Sequence, residues 1–118
     1  VIAAIAVPNF LDQVRKTRRS DAKQSLMDLA TKIEQYYQDN KGYPSSMTSL
    51  GYDAATFISP EEYYTIGFYT GSVSLSATTY EIEAVPRETQ VKDKTCQTFR
   101  LNHLGKKTVS KGDADECW

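Results

Sequence analysis

The sequence predicts an α+β domain in which one long N-terminal helix packs on an antiparallel β-sheet. Two observations carry this prediction. No glycine or proline interrupts residues 10–40, and apolar side chains recur there at steps of three and four. Beyond residue 60, short segments rich in aromatic and β-branched residues alternate apolar with polar positions. The 118 residues are enough for a single domain, residues 1–118, with a modest core.

The predicted helix has two parts that differ in their apolar content. Its second part carries a continuous apolar stripe, formed by Ala22, Leu26, Leu29, Ala30, Ile33, Tyr36 and Tyr37. In residues 11–21 the stripe thins to Leu11 and Val14. We therefore expect residues 11–21 to project from the globular body, and residues 22–42 to pack on the sheet. Gly42 is predicted to form the left-handed cap that ends the helix.

The chain begins with seven apolar residues, which stand directly before Pro8. A helix that spans a bilayer needs about 20 apolar residues. We expect residues 1–21 to be the residual transmembrane and projecting helix of an N-terminally truncated chain. Pro8 either bends this helix from within or lies in the first turn of a helix that begins at Asn9. The side chains expected to contact membrane or partner subunits are Val1, Ile2, Ile5, Val7, Pro8, Phe10, Leu11 and Val14.

Residues 43–60 are typical of a connecting loop with one short helical turn, and residues 61–118 of a sheet followed by a disulfide loop. Strands are predicted at residues 63–69, weakly at 73–77, and at 80–84, 98–102 and 107–109. Pro86 ends the strand before it, and Leu104-Gly105-Lys106 predicts a hairpin turn. The helix stripe should cover one face of this sheet.

Cys96 and Cys117 are the only cysteines, and no CxxC motif suggests a metal or redox site. A disulfide is the simplest interpretation; the alternative is two unpaired buried thiols. The bond would stabilise the fold by roughly 3 kcal/mol in the chain-entropy model and indicates an oxidising compartment. Three acidic residues lie between the cysteines, namely Asp113, Asp115 and Glu116. Their spacing matches no EF-hand, so charged side chains of a solvated loop explain them better than a calcium site does.

Charge is unevenly distributed, although the net charge is only −1. Residues 12–23 hold five cations and two anions, and residues 87–111 hold seven and two. The cations of the helix segment could meet phospholipid head groups or carboxylates of adjacent subunits, or form a solvated face: Arg15, Lys16, Arg18 and Arg19. The second segment offers a candidate surface for DNA or a partner, namely Arg87, Lys92, Lys94, Arg100, Lys106 and Lys107.

His103 has no catalytic partners in the sequence pattern, so we predict no enzyme activity, cofactor or small-molecule substrate.

Several short motifs occur in an order that resembles the type IV pilins, most closely the PilE-type minor pilins of type IVa pili. In the first half these are Ala4-Ile5-Ala6-Val7-Pro8-Asn9-Phe10, Tyr36-Tyr37 and Gly42-Tyr43-Pro44 followed by Leu50-Gly51. In the second half they are Thr78-Thr79-Tyr80, Ala84-Val85-Pro86, Asp93-Lys94-Thr95-Cys96, Leu101-Asn102-His103-Leu104-Gly105 and Cys117-Trp118. The resemblance extends over the whole chain.

The resemblance implies a minor pilin that contributes to assembly of a type IV pilus, whose functions are twitching motility, adhesion or DNA uptake. Such a subunit is held in the inner membrane facing the periplasm and then joins an extracellular pilus by packing its helix against other major and minor pilins. The family's cleavage and N-methylation sites have no counterpart in this sequence. Two alternatives remain: a pilus-borne module that recognises DNA or a host surface, and a type II secretion pseudopilin, which the cysteine pair disfavours.

Overall fold

A computed structural model describes residues 2–69 and 78–118, with side chains from residue 10 onward. The helices are α1 (Ile2–Asn40) and α2 (Ala114–Cys117), with 3-10 turns at Met47–Leu50 and Glu88–Lys92. The strands are β1 (Thr56–Ile58), β2 (Tyr64–Phe68), β3 (Glu81–Pro86), β4 (Phe99–Asn102) and β5 (Lys107–Val109). This confirms the predicted α+β fold. The weak strand predicted at 73–77 lies outside the described residues.

The five strands form one antiparallel sheet in the order β1-β2-β3-β4-β5, and α1 packs on one of its faces. Four apolar residues of α1 are fully buried in this contact: Ala22, Leu26, Leu29 and Ile33. They meet alternate residues of the three central strands, namely Tyr64, Ile66, Ile82, Ala84, Phe99 and Leu101. β1 is an addition to the prediction, because it lies inside the segment expected to be a loop.

The two ends of α1 show where Pro8 lies and which residue caps the helix. The helix begins before Pro8, so this proline lies inside it and not at the start of a helix beginning at Asn9. At the other end Lys41, with φ 58°, takes the left-handed conformation predicted for Gly42, and its N–H donates to the Tyr37 carbonyl at 2.7 Å. The cap prediction is therefore wrong by one residue. Among the described residues, no helix is both long and apolar enough to cross a bilayer.

The disulfide between Cys96 and Cys117 is present, with the Cα atoms 5.9 Å apart, and both cysteines are fully buried. Gly112 lies in the loop that the disulfide closes, and its φ is 71°. A Cβ atom at this position would overlap the Thr95 carbonyl oxygen. Asp113 caps α2 by accepting a hydrogen bond from the Asp115 N–H at 3.0 Å. Together these contacts hold the C-terminus against the sheet.

The prediction that residues 11–21 project is wrong for the later part of this segment. Arg19 and Asp21 are buried against the domain, whereas Phe10 and Leu11 remain exposed. Asp21 accepts hydrogen bonds from the Ser59 hydroxyl and from the N–H groups of Glu61, at 3.2 Å, and Tyr63, at 3.3 Å. The packed part of α1 therefore includes polar residues whose partners lie far away in the sequence.

Candidate interaction surface around the first part of α1

A buried ion pair fixes α1 to the segment between β3 and β4. Arg19 donates from Nε to Oδ2 of Asp93 at 2.7 Å and from Nη2 to Oδ1 at 2.8 Å. Hydrogen bonding to Asp93 is the main reason that the pKa of Arg19 is raised. Gln90 adds bonds of 3.0 Å from Nε2 to the Arg15 carbonyl and to the Tyr64 hydroxyl. These contacts hold the Glu88–Lys92 turn beside the helix.

This attachment brings the two cation-rich segments of the sequence together. A groove of about 370 Å³, here called the basic groove, is lined by Asp12, Gln13, Arg15, Lys16, Arg19, Lys92, Asp93, Lys94 and Thr95. Lys16, Lys92 and Lys94 are exposed, and none has a carboxylate oxygen within 4.0 Å in the part of the chain that the structure describes. Their charges are therefore available to an external anion.

The positive region continues from the basic groove toward β5. The pKa of Lys23 is lowered, first by partial burial and then by repulsion from Arg19, Lys16 and Lys107. Lys107 lies on β5, with its Nζ atom 5.5 Å from the centroid of the Trp118 ring. Cations of α1, of the segment before β4 and of β5 therefore share one side of the domain.

Three other cations of the predicted surface, Arg87, Arg100 and Lys106, lie elsewhere, and both arginines have partners. Arg87 donates from Nη1 to the Glu62 carbonyl at 2.7 Å, and its Nη2 lies 3.6 Å from Glu88. Arg100 stacks 3.9 Å from the centroid of the Tyr69 ring, with Nε 3.4 Å from a carboxylate oxygen of Glu83. Lys106 lines a cavity of about 400 Å³ together with Arg100, on the sheet face opposite α1. The six predicted cations thus do not line one groove.

A second groove lies next to the basic groove and differs in composition. It has a volume of about 410 Å³, and we call it the amphipathic groove; its lining is Phe10, Leu11, Val14, Arg15, Arg18, Thr89 and Lys92. Arg18 is held in place because Nη1 donates to the Thr89 hydroxyl at 3.0 Å and the guanidinium lies 4.3 Å from the centroid of the Tyr63 ring. Apolar side chains from α1 and three cations therefore line the same groove.

A family model described as "Type IV minor pilin ComP, DNA uptake sequence receptor" matches residues 8–100, which is more than half of the chain. The chain belongs to this family. A solved type IV pilin from Shewanella oneidensis is also similar, with 28% identity and a TM-score of 0.61, covering 88% of this chain and 97% of that one. No curated protein matches. The predicted resemblance to type IV minor pilins is confirmed, which favours this assignment over a secretion pseudopilin.

The sequence prediction identified the cations of both segments but not their arrangement. Lys92 and Lys94 are joined by Arg15 and Lys16, which belong to the helix segment 12–23. The available signal was the excess of cations in both segments. It could not show that Asp93 and Gln90 would dock one segment on the other, because both look like ordinary solvated polar residues in a loop.

Proposed function

We propose that this minor pilin is held in the inner membrane facing the periplasm and then joins an extracellular pilus through the first part of α1. The observation that carries the proposal is the exposure of two neighbouring large apolar side chains, Phe10 at 65% and Leu11 at 46%. They lie where α1 extends past the sheet, and apolar side chains grouped in this way mark an interaction site. The partners are the corresponding helices of other major and minor pilins.

The test is photo-crosslinking in pili from cells that make the full-length protein. A photoreactive amino acid at position 11 should crosslink to other pilins in purified pili. The same amino acid at position 41, an exposed residue at the far end of α1, is the matched control and should give few crosslinks. Absence of crosslinks from position 11, together with normal piliation in a strain lacking the protein, would contradict the proposal.

A second candidate function is recognition of DNA by the assembled pilin, and the basic groove favours it. Lys16, Lys92 and Lys94 present exposed cations without carboxylate partners within 4.0 Å among the described residues. Cations that neutralise phosphates release counterions, so each contact contributes about −0.9 to the dependence of log K on log salt for duplex DNA. The description of the family as a DNA uptake sequence receptor supports the same function.

Binding of a short DNA duplex to the purified chain tests this function. We expect affinity to fall steeply with salt, with a slope of about −3 if all three lysines contact phosphates. Lys94→Gln should weaken binding and reduce the slope by about 1, whereas Lys41→Gln at the opposite end of α1 should have no effect. Failure to bind at low ionic strength would exclude the DNA function and leave the assembly function standing.

A further inference from the structure

The amphipathic groove combines an apolar lining with cations, whereas the lining of the basic groove includes no apolar side chain. One part of its lining is apolar and comes from α1, formed by Phe10, Leu11 and Val14. The other part carries three cations and no carboxylate, with Arg15 and Arg18 from α1 and Lys92 from the turn before β4. A ligand that fills it must therefore have an anionic group directly attached to an apolar one.

We propose that this groove binds one anionic phospholipid, with the phosphate between Arg15, Arg18 and Lys92 and the beginning of an acyl chain along Leu11 and Val14. The proposal rests on the membrane-held stage of the proposed function. The lipid would neutralise these cations before the subunit enters the pilus.

The distance from Leu11 to Arg15 along the α1 axis matches the thickness of the head-group region of a bilayer. Leu11 and Arg15 are one helical turn apart, which is about 6 Å along the axis. The head-group region on each side of the hydrocarbon core is about 5–8 Å thick. With Leu11 at the level of the acyl chains, Arg15 is at the level of the phosphates, where cations are attracted to anionic lipids.

The cations keep donors free for a phosphate. Arg18 uses Nη1 for Thr89, while its other guanidinium nitrogens have no hydrogen-bond acceptor in the described part of the chain. Arg15 lies 3.7 Å from Asp12, an exposed residue that salt and solvent screen. Lys92 has no carboxylate oxygen within 4.0 Å among residues 10–69 and 78–118.

The position of Lys92 is set by the fold and not by the lipid. Gln90 and Asp93 on either side of it are buried and bonded to α1, so the turn is already placed when the lysine meets a ligand. Groups held in place before binding lose less conformational entropy on association. A nucleic acid would use the cations but not the apolar lining, which is why we assign this groove to a lipid.

Vesicle binding by the whole chain tests the proposal. The probes are vesicles of phosphatidylcholine alone and vesicles of equal parts phosphatidylcholine and phosphatidylglycerol. We expect the chain to prefer the anionic vesicles, and Arg18→Gln and Lys92→Gln each to weaken that binding about fivefold, or ~1 kcal/mol per cation. Neither change should affect binding to phosphatidylcholine, whereas Leu11→Asn should weaken binding to both. Lys41→Gln is the matched control and should leave both affinities unchanged.

Equal affinity of the wild type for both vesicles would overturn the proposal, as would a loss for Lys41→Gln equal to that for Lys92→Gln. If Arg18→Gln weakens binding of a DNA duplex and leaves vesicle binding unchanged, the groove is a nucleic-acid site and the lipid assignment is wrong. Crosslinking from position 11 to other pilins is independent of these results. Its success alongside a failed vesicle test would remove the lipid proposal and keep the assembly function.

Discussion

Two segments of α1 pack on the rest of the domain, and different kinds of interaction hold each of them. Between residues 22 and 33 the helix buries apolar side chains, and Leu26, Leu29 and Ile33 are fully inaccessible to solvent. Between residues 15 and 21 it is held by buried polar groups, chiefly Arg19 and Asp21. The first attachment tolerates many partners of suitable size, whereas the second requires particular atoms at particular positions.

Stabilisation and specificity therefore come from different segments of one helix. Burial of apolar side chains contributes most of the favourable free energy of folding. The coulombic attraction within a buried ion pair is largely offset by the desolvation of both charges, so the pair adds little net stability while making the loss of one partner costly. The Arg19–Asp93 pair therefore determines which loop lies against α1, and with it the position of Lys92 and Lys94.

The largest expected effect comes from breaking this pair. Asp93→Leu should lower the free energy of unfolding by about 3–5 kcal/mol, because Arg19 then remains buried without a counterion. Chemical denaturation measures the loss. The double variant Arg19→Met/Asp93→Leu is the control and should recover most of it. A double variant as unstable as the single one would show that the ion pair is not the cause.

Shortening a buried side chain of the apolar stripe should destabilise the fold, because it leaves a cavity. Leu29→Ala removes a fully buried side chain and should cost about 3 kcal/mol, with the size depending on how far the surroundings collapse. Met27→Ala lies two residues earlier on an exposed part of the same helix and should cost far less. Equal losses for the two variants in denaturant titrations would contradict the assignment of the helix stripe to the core.

Alkaline pH should weaken the contact between the sheet and the polar segment. Burial raises the pKa of Tyr64 to about 12, above its ordinary value near 10. A raised folded-state pKa means that the stabilising contribution is complete below pH 10 and is lost as the pH rises toward 12. The stability difference between wild type and Tyr64→Phe should therefore shift by about 2–3 kcal/mol against the wild type over that range. A difference that stays constant with pH would refute this.

The smallest effect is expected at the turn between β1 and β2. Asp21→Ala removes the carboxylate that accepts hydrogen bonds from Ser59, Glu61 and Tyr63, and should cost about 2 kcal/mol. Amide hydrogen exchange should quicken at residues 59–63 and remain slow in β4. Uniform acceleration across the sheet would indicate that Asp21 supports the whole domain and not this turn.

Much of the fold was predictable because its signals are local. The 3.6-residue period located the buried stripe of α1, although Tyr37, which was predicted to belong to it, is exposed. Alternation of apolar and polar residues located β3 and β4, aromatic and β-branched residues located β2, and the predicted hairpin turn located β5. β1 was missed because its three residues pair only with β2 and carry little alternation of their own. The Glu88–Lys92 turn was missed because nothing in its composition distinguishes it from a loop.

The long helix, the strand-rich second half, the disulfide and the two cation-rich segments were predictable, because each depends on spacing or composition within a short stretch of sequence. The pairing of Arg19 with Asp93, 74 residues away, and the two grooves formed where the cation-rich segments meet depend on the three-dimensional fold. A polar side chain carries no sign in the sequence of whether its partner is water or a distant residue. That choice depends on which groups the folded chain brings within hydrogen-bond distance.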